Sequence, residues 1–437
     1  MNKRIARLER DQQRLRASPS FRLGSHITKA IIQPWRAPFL VITLPWQMLM
    51  MGFELLGKKP VPSLPNSSPK VLTNKPNNTV VMFPTNGVGF GHFTRMLALA
   101  KRMKIEDPTL EVVFLTTMPT LHLLKPYGIP AHFISGKNHF QDMDATTWNV
   151  LLEEQITLCL ETHKPKMFIF DGAFPYRGML RAISNCWGVE KVWMRRGTFR
   201  KGSNIPVDSI SHFDLIIHPK DSVPQPKSDP LHDIESISCP PIIMLDEEEL
   251  MSREAARNRL MLPRDCKAVY VQLGAGEIND IDSEIHLTIK ALTSHQNVYV
   301  VLGESMIGER LDINMERVHI LRDYPNSVYF RGFDASVQAG GYNSFHETRR
   351  FGLPALFYPN MSTGMDDQLA RCKVAEEEGW GKVLEIRKES LIQSSIEDLL
   401  NRIGEVEQLT GESGAWDLAR VLLTKMGSLE NDQEIQL

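Results

Sequence analysis

The stretch 330-FRGFDASVQAGGYNSFHETRRFGLPALFYPNMSTGMDDQLARCKVAEEEG-379 decides the fold. Asp334 to Gln338 is a short apolar run that reads as a buried strand. Gly340 and Gly341 turn the chain, and Ser344 to Arg350 reads as a helix with Glu347 in its first turn. Gly352-Leu353-Pro354 stops that helix, and Ala355 to Tyr358 reads as the next buried strand. A glycine turn between a strand and a helix start gathers backbone N–H groups and the positive end of the helix dipole. Without Cβ atoms in the way, a diphosphate can come close to them. Glu347 then offers a bidentate acceptor for the two hydroxyls of a ribose. Asp366, Asp367 and Gln368 fall on a loop at a strand's carboxyl end, where side chains meet sugar hydroxyls.

These residues resemble the donor-binding half of GT-B glycosyltransferases, above all the peptidoglycan lipid-intermediate N-acetylglucosaminyltransferase type (family 28-like) and its relatives in bacterial surface-polysaccharide assembly. The pattern is a glycine pair, a glutamate six residues on, G-L-P, an apolar strand ending in Pro, then D-Q. Here it is Gly340-Gly341, Glu347, Gly352-Leu353-Pro354, Pro359 and Asp367-Gln368. The resemblance implies that Glu347 holds the ribose, Gln368 the donor sugar, and the backbone around Gly341, Tyr342, Asn343 and Ser344 the diphosphate. The plain reading of the same residues is a Rossmann-like crossover whose glycines only permit tight packing.

A chain of 437 residues allows two or three domains, and 42% hydrophobic with 23% charged residues is an ordinary globular composition. The net charge of −2 hides an asymmetry: residues 1–59 carry eleven Lys/Arg against three acids, +8, so the remainder carries −10. A basic head on an acidic body argues against general nucleic-acid binding and suits an anionic membrane surface. The five cysteines are scattered, without C-x-x-C, which points to a reducing compartment and away from a structural zinc.

Met1 to Ser18 reads as a charged, solvated helix. Ala37 to Phe53 holds seventeen residues without a charge, including Pro45 and Trp46. As a helix it spans about 25 Å, short of a hydrocarbon core of about 30 Å, and Pro45 is expected to interrupt it. Arg22, Lys29 and Arg36 precede it and Lys58 and Lys59 follow. Both ends are therefore expected on the cytoplasmic side, with the segment lying on or dipping into the inner leaflet. The alternative is a helix packed on the enzyme body. Ser18-Pro-Ser-Phe-Arg-Leu-Gly24 resembles leader segments of bacterial capsule-type glycosyltransferases. Val61 to Asn78 reads as linker.

Thr79–Phe83, Val112–Thr116, Met167–Phe170, Val192–Met194 and Leu215–Ile217 are strand candidates separated by helical stretches, the alternation of a parallel sheet. After the first strand comes Gly87-Val-Gly89-Phe-Gly91-His92, then an amphipathic helix through Met103. A nicotinamide site lacks its acid at the second strand's end, where the chain runs Leu115-Thr116-Thr117. Gly89-Phe-Gly91-His92-Phe-Thr-Arg95 instead resembles the G-x-G-H-x-x-R loop shared by relatives of this transferase group and some sugar-nucleotide hydrolases. That makes His92 the candidate base and Arg95 a phosphate-facing or structurally paired residue. Asp171 ends a strand and is a candidate to orient His92, to bind the acceptor, or to cap the next turn. Arg195 and Arg196 are candidates for a pyrophosphate-bearing acceptor. His212 and His218 show no ligand spacing.

In the second half, Asp246 to Leu260 reads as a helical connection. Val269–Leu273 opens a second sheet and leads to Gly274 and Gly276, which in the resembled pattern face the donor. Tyr324-Pro325 to Phe333 resembles the segment whose backbone reads the nucleobase. Asp142-Met-Asp144 and Asp280-Ile-Asp282 match D-x-D by letter but read as solvated acids, so no metal is expected. The last helix is expected to cross back onto the first half.

The expected architecture is GT-B, an α/β fold of two Rossmann-like domains facing a cleft: a head and linker (1–75), an acceptor domain (76–245) and a donor domain (246–437). The expected function is transfer of a sugar, with a UDP-sugar as the expected donor, to a lipid-linked or polysaccharide acceptor at the cytoplasmic face of the membrane. No cofactor is expected, the nucleotide sugar being a substrate, and no nucleic-acid partner. The rivals are a sugar-nucleotide hydrolase or epimerase using the same donor site, and a non-catalytic sugar-nucleotide sensor.

Overall fold

A computed structural model describes residues 18–55, 70–71, 76–85, 89–136, 143–195, 207–223, 234–274, 281–306, 310–361 and 366–428. The helix expected over Met1–Ser18 lies outside these residues apart from Ser18, whose side chain caps the first described helix by accepting from the Phe21 N–H. Most of the expected linker, Gly87, Arg196, Gly276, Asp142 and Asp280 also lie outside them.

The head is a pair of helices, α1 (Pro19–Ile32) and α2 (Leu40–Leu55), joined through a 3-10 turn at Pro34–Phe39. His26 Nε2 meets Thr43 Oγ1 at 2.8 Å and ties the two together. Pro45 lies inside α2 without ending it, contrary to the expectation of a break. At this sixth position the helix forgoes one backbone hydrogen bond and continues. No helix among the described residues is long and apolar enough to cross a membrane.

The first domain is a seven-stranded parallel sheet of β1 (Thr79–Pro84), β2 (Glu111–Thr116), β3 (Ala131–Phe133), β4 (Met167–Asp171), β5 (Glu190–Met194), β6 (Leu215–Pro219) and β7 (Glu235–Cys239), in the order β3-β2-β1-β4-β5-β6-β7. The second is a six-stranded parallel sheet of β8 (Lys267–Gln272), β9 (Val298–Gly303), β10 (Val318–Leu321), β11 (Ala335–Gln338), β12 (Ala355–Phe357) and β13 (Gly381–Val383), ordered β10-β9-β8-β11-β12-β13. Both run outward from a central first strand and then reverse, so a crevice opens at the carboxyl ends beside β1 and β8, where such folds bind ligands. β3 and β7 were not anticipated: AHF and ESISC are too short or too polar to stand out, and pairing with their neighbours makes them strands.

Helix α3 (Gly91–Glu106) follows β1 and is not amphipathic as expected: Phe93 through Ala100 are all buried. The reason is the chain's end. Helix α11 (Gly414–Lys425) returns to the first domain, where Leu418 and Leu422 join Met96, Leu99 and Met103 in one core. Each of these leucines is fully buried, a contribution of about 1.5–3 kcal/mol apiece. The division at 245/246 is therefore not the spatial one at the carboxyl end, since residues 414–425 pack with the first sheet. The connection at Asp246 is not one helix either. Asp246 and Glu249 form a capping box on a single 3-10 turn, and helix α6 (Arg253–Arg259) starts afresh at the Ser252 cap. Buried Arg102 pins this crossing, donating to the Met244 carbonyl at 2.7 Å and pairing with Asp246 at 2.8 Å.

Candidate active site

Asp171 is the last residue of β4 and His92 the second of α3, so the parallel order of β1 and β4 brings both to the carboxyl edge of the first sheet. His92 Nδ1 lies 2.7 Å from Asp171 Oδ1. Arg95, one turn along α3, donates from Nε to Oδ2 at 3.1 Å and from Nη2 to Oδ1 at 2.8 Å. Arg95 Nη2 is also 2.9 Å from His92 Nδ1. Two donors cannot bond each other, so the carboxylate takes both and the Nδ1–H of the ring points at Asp171. This leaves Nε2 as the basic nitrogen. Asp171 and Arg95 are each about 1% exposed, whereas His92 keeps 15%. Burial alone would raise the Asp171 pKa, but the Arg95 and His92 charges overcome it and hold the carboxylate below its usual range. Of the two expectations for Arg95, a phosphate or a structural acid, the structure bears out the second: it is the buried partner of Asp171. The strand end is crowded: a Cβ on Gly172 would sit 2.5 Å from the Phe170 ring and 2.8 Å from Thr85.

The other wall comes from the second domain. Helix α8 (Tyr342–Arg350) begins at Gly341, and Asn343 Nδ2 donates to the Gly91 carbonyl at 3.2 Å. The amino ends of α3 and α8 therefore meet across the domain boundary. The Asn343 Oδ1 is buried and has no hydrogen-bond partner among the described residues. The Tyr342 ring packs against the guanidinium groups of Arg95 at 5.3 Å and of Arg371 at 5.8 Å, and its hydroxyl donates to the Lys220 carbonyl. Arg371 lies in helix α9 (Gln368–Glu377) and is fully buried. It donates to Asp221, just past β6, from Nη2 at 2.7 Å, pairs with Asp366 at 2.7 Å, and reaches the Gly340 carbonyl from Nη1 at 3.0 Å. His346 Nε2 also contacts Asp221, at 3.2 Å. Burial opposes the Asp221 charge, but His346 and Arg371 drive its pKa far down. Asp221, His346 and Arg371 were not singled out from the sequence. The available signal was an acid two residues past a strand in a parallel-sheet pattern, and its partners lie more than 120 residues away.

The glycine pair separates into two roles. Gly340 has φ +78°, and a Cβ there would meet Cys372 Sγ at 2.2 Å. Gly341 has φ −60°, and a Cβ there, as at Gly89 and Gly91, meets open space. Gly340→Ala is therefore expected to lose about 2 kcal/mol or more of stability in urea melts. Gly341→Ala is expected to melt within about 0.5 kcal/mol of the parent and yet weaken nucleotide-diphosphate binding at least about tenfold by calorimetry. Equal stability loss in both variants would contradict this division.

Glu347 sits in the second turn of α8, not the first, because the helix starts at Tyr342. Ser327 Oγ donates to its Oε1 at 3.1 Å. Burial pushes its pKa up to about 7, against smaller opposing hydrogen bonds from Ser327 and the Met244 backbone. Ser344 is half-buried on the first turn. Asp367 caps α9 by accepting from the Ala370 N–H, and Gln368 Oε1 accepts from the Asn360 N–H, so both are anchored at the rim of β12. Phe333, expected near the base, gives its ring to the core, stacked on Tyr270 at 5.0 Å, which leaves only its backbone for that role. Gly274 lies two residues past the end of β8, exposed at φ +108°. Arg195 follows β5, its guanidinium over the Trp193 ring at 5.3 Å. Asp144 is the N-cap of the helix Ala145–His163, accepting from Thr146 and Thr147, and is not paired as a D-x-D ligand. A separate cavity of about 340 Å³ lies behind the connection, lined by Asp246, Glu247, Glu248 and Glu412, an unfavourable lining for a diphosphate.

Two parallel doubly wound sheets with a site between their carboxyl edges define the GT-B fold. Solved structures agree. The glycotransferase of kitacinnamycin superposes with a TM-score of 0.53 at 14% identity, over 81% of this chain and 96% of that one. MurG from Acinetobacter baumannii gives 0.50 at 14%, over 80% and 99%. CalG4, the calicheamicin glycosyltransferase, gives 0.51 at 15%, over 80% and 94%. An uncharacterized glycosyltransferase of Methanosarcina acetivorans is 29% identical over 147 residues, which is 32% of this chain and 38% of that relative. The chain thus spans under two fifths of the length of this curated relative. No protein-family model matches the chain.

Proposed function

We propose that the chain is a glycosyltransferase that moves a sugar from a nucleotide-diphosphate donor, a UDP-sugar first among candidates, to a membrane-associated acceptor in surface-glycan synthesis. The observation that supports it most is the His92–Asp171 pair facing the Gly341 helix start across the domain boundary. Asp171 holds the imidazole with Nδ1–H inward, so Nε2 takes the proton of an acceptor hydroxyl as that oxygen attacks the anomeric carbon. The departing diphosphate gathers charge at the amino end of α8, where backbone N–H groups and the helix dipole receive it without a cation. Glu347 accepts from the ribose hydroxyls, and Gln368 and Asp367 line the sugar's place. Attack opposite the leaving group makes the reaction inverting. The sugar nucleotide is consumed as substrate, and the reaction calls for no cofactor.

The head supports the membrane side of the reading. Trp35 is 65% exposed and Trp46 is 62%, with Phe39, Val41, Ile42, Met48 and Leu49 also exposed. An apolar face of this kind beside Arg22, Lys29 and Arg36 fits insertion at an anionic lipid surface, with the basic residues at headgroup level. Packing on the enzyme body would have covered these rings. The expected result is sedimentation of the full chain with phosphatidylglycerol vesicles at low salt, reduced at least about tenfold by Trp35→Ser/Trp46→Ser without a change in melting. Equal partition of both proteins would refute the docking face.

The catalytic reading is tested by a binding screen of UDP-, GDP- and CMP-sugars followed by assay with lipid-linked acceptors. Transfer that requires acceptor supports it. Donor cleavage at a rate indifferent to acceptor would establish the hydrolase instead.

A further inference from the structure

A second cluster of reactive side chains lies at the opposite end of the first sheet. Helix α4 (Ala145–His163) carries Cys159 and His163 four residues apart, hence one above the other on the same face. The edge strand β3 presents His132 to that face. His132 Nε2 and His163 Nε2 are 2.8 Å apart, and the Cys159 sulfur lies with one nitrogen from each ring inside a 4.8 Å span. Cys159 is buried, His163 is half-buried and His132 is exposed, so the thiol forms the floor and the imidazoles the mouth. On its far side His163 Nδ1 is 3.9 Å from Glu111 Oε2, which is itself held by Thr79 Oγ1 at 2.9 Å. The His163 carbonyl is fixed by Asn77 Nδ2 at 3.0 Å.

We propose that Cys159, His132 and His163 form a binding site for a thiophilic divalent cation of the zinc class, remote from the His92 cleft, that staples edge strand β3 to helix α4. A tetrahedral zinc with bonds of about 2.0–2.3 Å places its ligand atoms about 3.3–3.8 Å apart. The two ring nitrogens are 2.8 Å apart and all three ligand atoms lie within 4.8 Å of one another, so side-chain rotations that open the ring contact bring them to that range. The Glu111 carboxylate on the outer nitrogen of His163 favours Nδ1–H and turns the Nε2 lone pair inward, the arrangement that orients metal-bound histidines. The fourth position falls to water. Binding exchanges the thiol proton for the metal: the S–H bond breaks, the S–Zn bond forms and the proton passes to solvent, with no change of oxidation state.

The test uses the full chain, stripped with a chelator and titrated with zinc chloride against a chromophoric competitor. One equivalent per chain is expected, with a rise in Tm. His132→Ala and Cys159→Ser should each weaken binding at least about 100-fold, and Glu111→Gln about 10-fold. Cobalt substitution should give a thiolate charge-transfer band that Cys159→Ser abolishes. His132 is exposed, so its variant tests the site without disturbing the core. Zinc affinity unchanged in His132→Ala, no uptake by the parent, or a cobalt complex lacking the thiolate band would each overturn the proposal.

Discussion

His92→Ala is expected to lower the rate of sugar transfer about 10²–10⁴-fold while leaving donor affinity within about twofold. In the proposed mechanism the loss falls on turnover, because Nε2 would act only as the acceptor proton moves, whereas the donor would be held by the other domain. His92 is also the most exposed of its trio, so its removal leaves the Arg95–Asp171 pair intact and the melting curve near the parent's. Asp171→Asn behaves differently. It strips the counter-charge from buried Arg95 and costs about 3–5 kcal/mol of stability in addition to activity. A His92→Ala protein with full turnover would end the general-base role, and one that unfolds would make the residue structural.

The second large effect concerns Glu347. Its carboxyl titrates at about 7 in the folded chain, against 4.5 as the ordinary value, because it faces a desolvated cleft. The folded state therefore holds its proton more tightly than the unfolded chain. Stability from this group is whole below pH 4.5, falls as pH rises toward 7, and is lost above it. Glu347→Gln removes that falling leg. In urea melts it should match the parent near pH 4.5 and exceed it at pH 8 by at most about 3 kcal/mol, a ceiling because the side chain is only partly enclosed. The same variant should bind the nucleotide about 10–100-fold more weakly, since a neutral amide replaces a charged acceptor for ribose hydroxyls. Higher stability with weaker binding is the mark of a group kept for its ligand. Identical pH profiles for the two proteins would rule out the buried carboxyl, and undiminished binding would rule out the ribose contact.

The zinc-class site modifies what the cysteine spacing implies. Absence of C-x-x-C speaks only to ligands close in sequence, and His132 lies 27 residues before Cys159, on a different element. The proposed site therefore departs from the expectation of no structural zinc, while its place on β3 and α4 keeps it apart from the residues of the transfer chemistry.

From the letters alone came the alternation of strands and helices, the turn at Gly340-Gly341, the candidate pair of His92 and Asp171, and the basic apolar head. All of these are local: periodicity, glycine at a left-handed turn, and charge along a short segment depend on neighbours in sequence. Tertiary structure alone decided that Arg95 belongs to Asp171 and not to a phosphate, and that Phe333 and Tyr342 are packed. It also decided that Asp221 clamps Arg371 and His346 across 125 or more residues, and which core residues meet the last helix on its expected return to the first half. A charged side chain takes whichever partner folding brings within reach, and a helix buries whatever faces are covered. Neither is written in a one-dimensional pattern, because the partner's position is a property of the packed sheets.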